Sequence, residues 1–260
     1  MPAARAAPIG LSDEEFVRLT ETLKDADSVE LKLTVPEPNQ RSTVAALELD
    51  PLDAQIRQVF FFDTPGLALD AAGVVARARR IQGKGGDSII KLRPVTPSEL
   101  PADLRRSGSF RVEVDALPGG FVCSGTLKGA PASADVLRAA RGELPLRKLF
   151  SKEQRELFAA HAPQGVALDD LTVLGPIFVL KLRIEPPELG GRRVVTEMWF
   201  YPDGSRILEL STRCATTEAF QVAAESRAFL LERGIDLSGE QETKTRKALE
   251  FFVRERAEKT

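Results

Sequence analysis

The chain is poor in the residues that most often carry enzyme chemistry. Among its 260 residues there is one histidine, His161, and there are two cysteines, Cys123 and Cys214. A histidine-bound metal, a Ser-His-Asp triad and a Cys-His dyad would all have to run through His161, which falls just after an expected helix. Two thiols are too few for a disulfide framework or a zinc cluster and read as buried groups in a reducing compartment. One tryptophan and one tyrosine leave no aromatic platform for stacking single-stranded nucleic acid. No apolar run reaches about 18 residues, which excludes a membrane-spanning helix. Residues 1–10 lack the apolar stretch of a signal peptide, so a cytoplasmic location is expected. Neither sign of charge dominates: 36 Lys+Arg against 38 Asp+Glu give a net charge of −2, which argues against a globally basic nucleic-acid binder. Any chemistry therefore falls to carboxylates, lysines and arginines.

What is present is a globular composition, long enough to bury a core without disulfides or metals. Residues 1–10 read as a disordered tail and 11–260 as one domain. Ser12 and Glu15 form a capping-box pattern ahead of a helix whose Phe16, Leu19 and Leu23 share a face. Strands are expected at about 28–35, 55–62, 74–81, 87–93 and 109–115. A short helical stretch from Leu67 to Ala72 stops at Gly73. Between 117 and 172 the period changes to a helical segment, with helices at 133–140 and 151–160, the second opened by a Ser151–Gln154 capping box. Strands return at about 177–185, 192–201 and 206–213. Two helices, about 216–233 and 240–257, close the chain, the last with Leu249, Phe252 and Val253 as its apolar stripe. This order predicts an α+β protein built on an antiparallel sheet. The segment Gly83-Lys84-Gly85-Gly86-Asp87 lies between two strands and reads as a hairpin, not a phosphate loop.

Alternation along the strands carries the functional signal, because residues of one parity share one face. Glu30 and Lys32 oppose Val29, Leu31 and Leu33. Arg77 and Arg79 oppose Ala76 and Ala78, while Lys91 and Arg93 oppose Ile90 and Leu92. Arg111, Glu113 and Asp115 oppose Phe110, Val112 and Val114. Lys181 and Arg183 oppose Leu180 and Leu182, and Glu209 opposes Leu208 and Leu210. A solvated outer sheet face would mix Thr, Ser and Gln among its charges; these faces are charged at almost every polar position. The helices also need an apolar partner. If they cover the apolar face, the charged face lines an interior. Basic groups outnumber acids there, as a polyphosphate guest requires. The carboxylates then suit Mg²⁺ or Mn²⁺ bridging protein to phosphate.

These residues resemble the CYTH superfamily of triphosphate tunnel metalloenzymes. Phe61-Phe62-Asp63-Thr64-Pro65, followed by Leu69, Gly73, Arg77 and Arg79, is similar to that family's Phe-Asp-Thr-Pro segment and arginine pair. Glu30 and Lys32 match the end of its Glu-x-Glu-x-Lys signature, and Lys91, the Arg111-Glu113-Asp115 strand, Lys181, Arg183 and Glu209 look like its later strands. The resemblance implies a closed eight-stranded antiparallel tunnel clad in helices and a metal-dependent triphosphatase. Arg77, Arg79, Lys91 and Arg93 would grip phosphate oxygens, together with Arg111, Lys181 and Arg183. Glu30, Glu113, Asp115 and Glu209 would hold one or two Mg²⁺ or Mn²⁺. Glu30 and Lys32 are the candidate catalytic groups, Lys32 as a base only if burial lowers its pKa. Alternatives are an adenylate cyclase producing cyclic AMP and pyrophosphate, or a polyphosphate binder without turnover. The partner is a small triphosphate or polyphosphate, with no membrane and no nucleic acid, and a homodimer is open. Ser28 departs from the pattern, standing where the family's first glutamate would be. Asp27 has the wrong parity to replace it.

Overall fold

The computed structural model describes residues 12–237, 241 and 243–257. The expected tail at 1–10, the side chain of Glu15 in the first capping box, and residues 240 and 242 before the last helix lie outside the described part.

The alternating segments form strands: β1 (Ser28–Val35), β2 (Gln55–Asp63), β3 (Val74–Ile81), β4 (Gly86–Leu92) and β5 (Phe110–Leu117) come first. They are followed by β6 (Gly120–Gly129), β7 (Thr172–Ile184), β8 (Val194–Phe200) and β9 (Arg206–Cys214). They close into a barrel in the order β1-β5-β6-β4-β3-β2-β7-β8-β9. Neighbours run antiparallel, except that β1 and β5 are parallel, with Ser28 opposite Glu113 and Glu30 opposite Asp115. The expectation of eight purely antiparallel strands is therefore corrected to a mixed barrel of nine.

The strand the sequence hides is β6, inside the stretch read as helical. Its glycines mask the alternation, and one is demanded by packing. A Cβ on Gly125 would sit 2.5 Å from the Phe110 ring on the neighbouring strand. The segment after it is helical as expected, with α5 at Ser133–Ala140 and α6 at Lys152–His161. Numbered in chain order, the preceding helices are α1 (Asp13–Asp25), α2 (Gln40–Ala46), α3 (Ala68–Ala71) and α4 (Ala102–Arg106), and α7 (Ala219–Glu232) and α8 (Lys244–Ala257) end the chain. Helices α2 and α4 are too short for a periodic signal.

Helices cover most of the barrel's apolar outer face. Leu19 and Leu23 of α1, Val136 of α5 and Leu157 and Phe158 of α6 pack with Phe60, Phe62, Ala76, Ala78, Ile90 and Val112. Phe16, placed on the same stripe by spacing, is instead exposed and stacks on Phe220. The Ser151–Gln154 capping box forms, and Gln154, fully buried, also donates to the main-chain oxygens of Ser88 and Leu127. One side chain thus caps α6 and ties it to β4 and β6. A second outer cluster joins Leu33 and Val35 of β1, Leu208 and Leu210 of β9, and Phe229 of α7.

Helix α8 does something different. Ala248, Leu249, Phe251 and Phe252 pack on lumen-side Val59, Phe61, Ile177, Trp199 and Ile207, so this helix plugs one end of the barrel. Val253, assigned to the buried stripe, is exposed, and Phe251 takes the inward place. Among the described residues no helix is long and apolar enough to cross a membrane.

Candidate functional site

The strand parity places the charged faces inward. The Asp63-Thr64-Pro65 turn orients the wall that carries the arginine pair. Asp63, almost fully buried, accepts from the backbone N–H groups of Thr64, Leu69 and Asp70 at 2.7, 2.9 and 3.0 Å. Thr64 Oγ1 accepts from the Ala68 N–H at 2.9 Å. These bonds satisfy the orphan donors of α3, and Gly73 at φ +72° reverses the chain into β3. The motif is scaffold; the arginines beyond it face the lumen.

One lumen cluster centres on Asp115, which is fully buried. Its carboxylate takes Lys32 Nζ at 2.6 Å, Lys91 Nζ at 3.2 Å and Arg93 Nη1 at 3.6 Å. Burial works against ionisation, but Lys91, Lys32 and Arg93 outweigh it and hold the carboxyl well below its usual range. Glu30 lies 3.0 Å from Lys32 Nζ. Carboxylate oxygens of Glu30, Glu113 and Asp115 lie within 4.8 Å of one another. Burial and the nearby charge of Glu30 push Glu113 up, the repulsion that a bound cation relieves. Three hard oxygen donors converging in this way fit a divalent ion such as Mg²⁺ or Mn²⁺. Ser28 Oγ donates to Glu113 Oε1 at 3.4 Å, and Arg213 pairs with the same carboxylate. Asp27 stays outside, accepting from the Val112 N–H and pairing with Arg105.

Two placements differ from the expected arrangement. Glu209 does not join the carboxylate group: the β9 register sets it opposite Thr34 and Glu197, whereas Glu30 faces Arg213. Lys32 is not poised as a base. Burial disfavours its ammonium, but Asp115, Glu30 and Glu209 more than compensate and raise its pKa above the ordinary value.

The second cluster was only partly visible in the sequence. Glu197, omitted from the expected site, is buried and binds Lys181 Nζ at 2.9 Å, Trp199 Nε1 at 3.2 Å and Lys244 of α8. Lys244 also reaches Glu209 Oε1 at 2.7 Å. Arg79 is held by Asp87 of the adjacent strand at 2.7 Å, and Arg57 by Gln55 at 2.7 Å. The signals available for Asp87 and Glu197 were inward parity and cross-strand register to a basic residue. Lys244 had no local signal, since only tertiary packing inserts it.

Arg77 is the exception to this pairing. It is half-buried beside Arg79, 5.9 Å above the Phe61 ring, and among the described residues it has no ion pair; its Nε is buried and lacks any hydrogen-bond partner. Burial and the Arg79 charge lower its pKa to about 10. Arg111 and Arg183 are exposed and stay at the margins, Arg111 donating to the Phe110 carbonyl at 2.7 Å. Both cysteines are buried and free, and burial pushes Cys123 up to about 11. His161 ends α6, with Nδ1 2.9 Å from the Leu157 carbonyl oxygen, outside the barrel.

No family model matches the sequence, and no curated protein does. Solved structures do match. HpAC1 from Hippeastrum, described as a candidate adenylyl cyclase with a dominant triphosphatase activity, aligns with a TM-score of 0.60 at 17% identity, over 82% of this chain and 91% of its own. A protein from Bacillus halodurans, described as a candidate adenylate cyclase, aligns with a TM-score of 0.58 at 12% identity, over 85% of this chain and 97% of its own. The likeness is one of fold alone: the chain is an α+β protein with a closed, helix-clad barrel.

Proposed function

We propose that the lumen binds a triphosphate and that the protein hydrolyses it with Mg²⁺ or Mn²⁺ held by Glu30, Glu113 and Asp115. The observation that carries this reading is Arg77, a half-buried guanidinium that makes no ion pair among the described residues and whose buried Nε has no hydrogen-bond partner, on the wall across the barrel from those carboxylates. Taking a cation partly out of water without an ion pair is costly, and a phosphoanion supplies the missing partner. Arg79, Lys91, Arg93 and Lys181 complete the grip. A divalent ion, when bound, neutralises phosphate charge and makes its water a stronger nucleophile. Lys32, held protonated, stays a cation beside the reacting phosphate and stabilises developing charge there. The triphosphatase described for the Hippeastrum protein supports this choice of reaction.

Phosphate release from inorganic triphosphate with each metal tests the proposal. Arg77→Ala and Glu113→Gln are each expected to lower turnover by about a hundredfold or more; undiminished rates in both would reject it. Chromatography of an ATP reaction separates hydrolysis from cyclisation to cyclic AMP, the reaction named for the Bacillus protein. Ser28 favours one further reading. It puts a neutral hydroxyl beside Glu113 where a third glutamate would complete the signature, and tight triphosphate binding without turnover under any divalent metal would mark a binding protein.

A further inference from the structure

Outside the barrel, a cavity of about 250 Å³ lies between α7 and the outer faces of β1, β8 and β9. Its origin is the parallel seam. β1 and β5 are paired only from Ser28 to Leu31, opposite Glu113 to Ala116. Beyond that point β5 runs into its hairpin with β6, while β1 continues beside β9 to Val35. The two strands separate, and α7 spans the gap. The walls are apolar, formed by Leu31, Leu33, Leu210, Ala223, Phe229 and Leu230. An empty space of this kind loses the dispersion contacts that a packed interior would make. Apolar hollows take up apolar molecules; an enclosed one of about 150 Å³ holds a six-carbon ring, and this one opens to solvent at its rim. On that scale, this cavity admits about ten carbon atoms.

The rim supplies a charge. Arg227 of α7 borders the cavity, is exposed, and makes no ion pair among the described residues. The planar guanidinium fork matches a carboxylate through two parallel hydrogen bonds. We propose that this cavity is a binding site for a medium-chain carboxylate, with its alkyl tail among the leucines and its head group on Arg227. The cavity adjoins the lumen wall, with Lys32 of β1 in its lining, but the proposal does not depend on the reading of that lumen.

Calorimetric titration of the full chain with decanoate, and with decanol as the neutral counterpart, tests it. Saturable one-to-one decanoate binding is expected. Arg227→Gln weakens decanoate about threefold to fivefold and leaves decanol unchanged, since an exposed ion pair is worth up to about 1 kcal/mol. Ala223→Phe fills the cavity and abolishes binding of both probes. Ser226→Leu is the second filling variant; the Ser226 hydroxyl is buried without a partner, so its removal costs no hydrogen bond and the fold survives even where Ala223→Phe does not. Absence of saturable binding, or unchanged decanoate affinity in a folded filling variant, overturns the site. Unchanged decanoate affinity in Arg227→Gln overturns the head-group assignment.

Discussion

Lys244 Nζ stands 2.7 Å from Glu209 Oε1 and pairs at the same time with Glu197, so one lysine from the last helix bridges two buried carboxylates of the barrel wall. The contact explains why α8 enters the barrel with a charged residue at its front and aromatic residues behind it. Burial disfavours the Lys244 ammonium, but Glu197 and Glu209 outweigh this and raise its pKa.

Lys244→Met is expected to destabilise the protein by about 3–5 kcal/mol, because it strands carboxylates in a medium that cannot solvate them. Urea unfolding measures the loss. A change below about 1 kcal/mol would mean that the helix is held by its apolar residues alone.

Acid should act on the Arg79–Asp87 pair. Burial opposes the Asp87 carboxylate, but its hydrogen bonds and attraction to Arg79 prevail and hold its pKa below 3.8. A carboxyl with a depressed folded pKa contributes stability that is complete above its unfolded pKa and is lost as pH falls through the folded one. Asp87→Asn should therefore lower the melting temperature at pH 6 and reduce its fall at pH values below about 4. Parallel melting curves for both proteins throughout that acid range would contradict the pairing.

Ser28→Glu tests the carboxylate cluster without any assay of turnover. A further anion beside Glu30 and Glu113 increases repulsion and should lower the melting temperature in chelator. With Mn²⁺ the added ligand should produce a larger rise in melting temperature than the native protein shows. Equal rises would show that position 28 does not reach the ion.

Gln154→Ala removes the capping partner of Ser151 and the donors to Ser88 and Leu127 together. The expected cost is about 2–3 kcal/mol with an unchanged denaturant slope. A loss near that of a lone cap, about 0.5 kcal/mol, would mean that α6 is held by Leu157 and Phe158 instead.

Period-two alternation sets which residues of a strand share a face, so the ionic face of each strand was legible before any coordinates, although Arg111 and Arg183 on those faces are exposed. So was the Ser151–Gln154 cap, because capping depends on residues three apart in one chain. What could not be read locally was the partner of each charge. Glu209 has the alternation of a lumen residue, but the β8–β9 register, not its neighbours in sequence, places it beside Glu197 and under Lys244. Strand β6 failed for a related reason: Gly125 weakens the strand pattern because a ring from another strand needs the space.

The sequence by itself determined which strand faces are ionic, and that carboxylates, lysines and arginines, not histidine or cysteine, are the groups at hand. Tertiary structure alone decided that Lys32 is held protonated by Asp115 and Glu30, that Arg77 has no ion pair among the described residues, and that Lys244 of α8 reaches the carboxylates of the barrel wall. The physical reason is range. Alternation and capping act over a few residues, whereas the charge state of a buried group depends on every neighbour that the folded chain brings within a few ångströms.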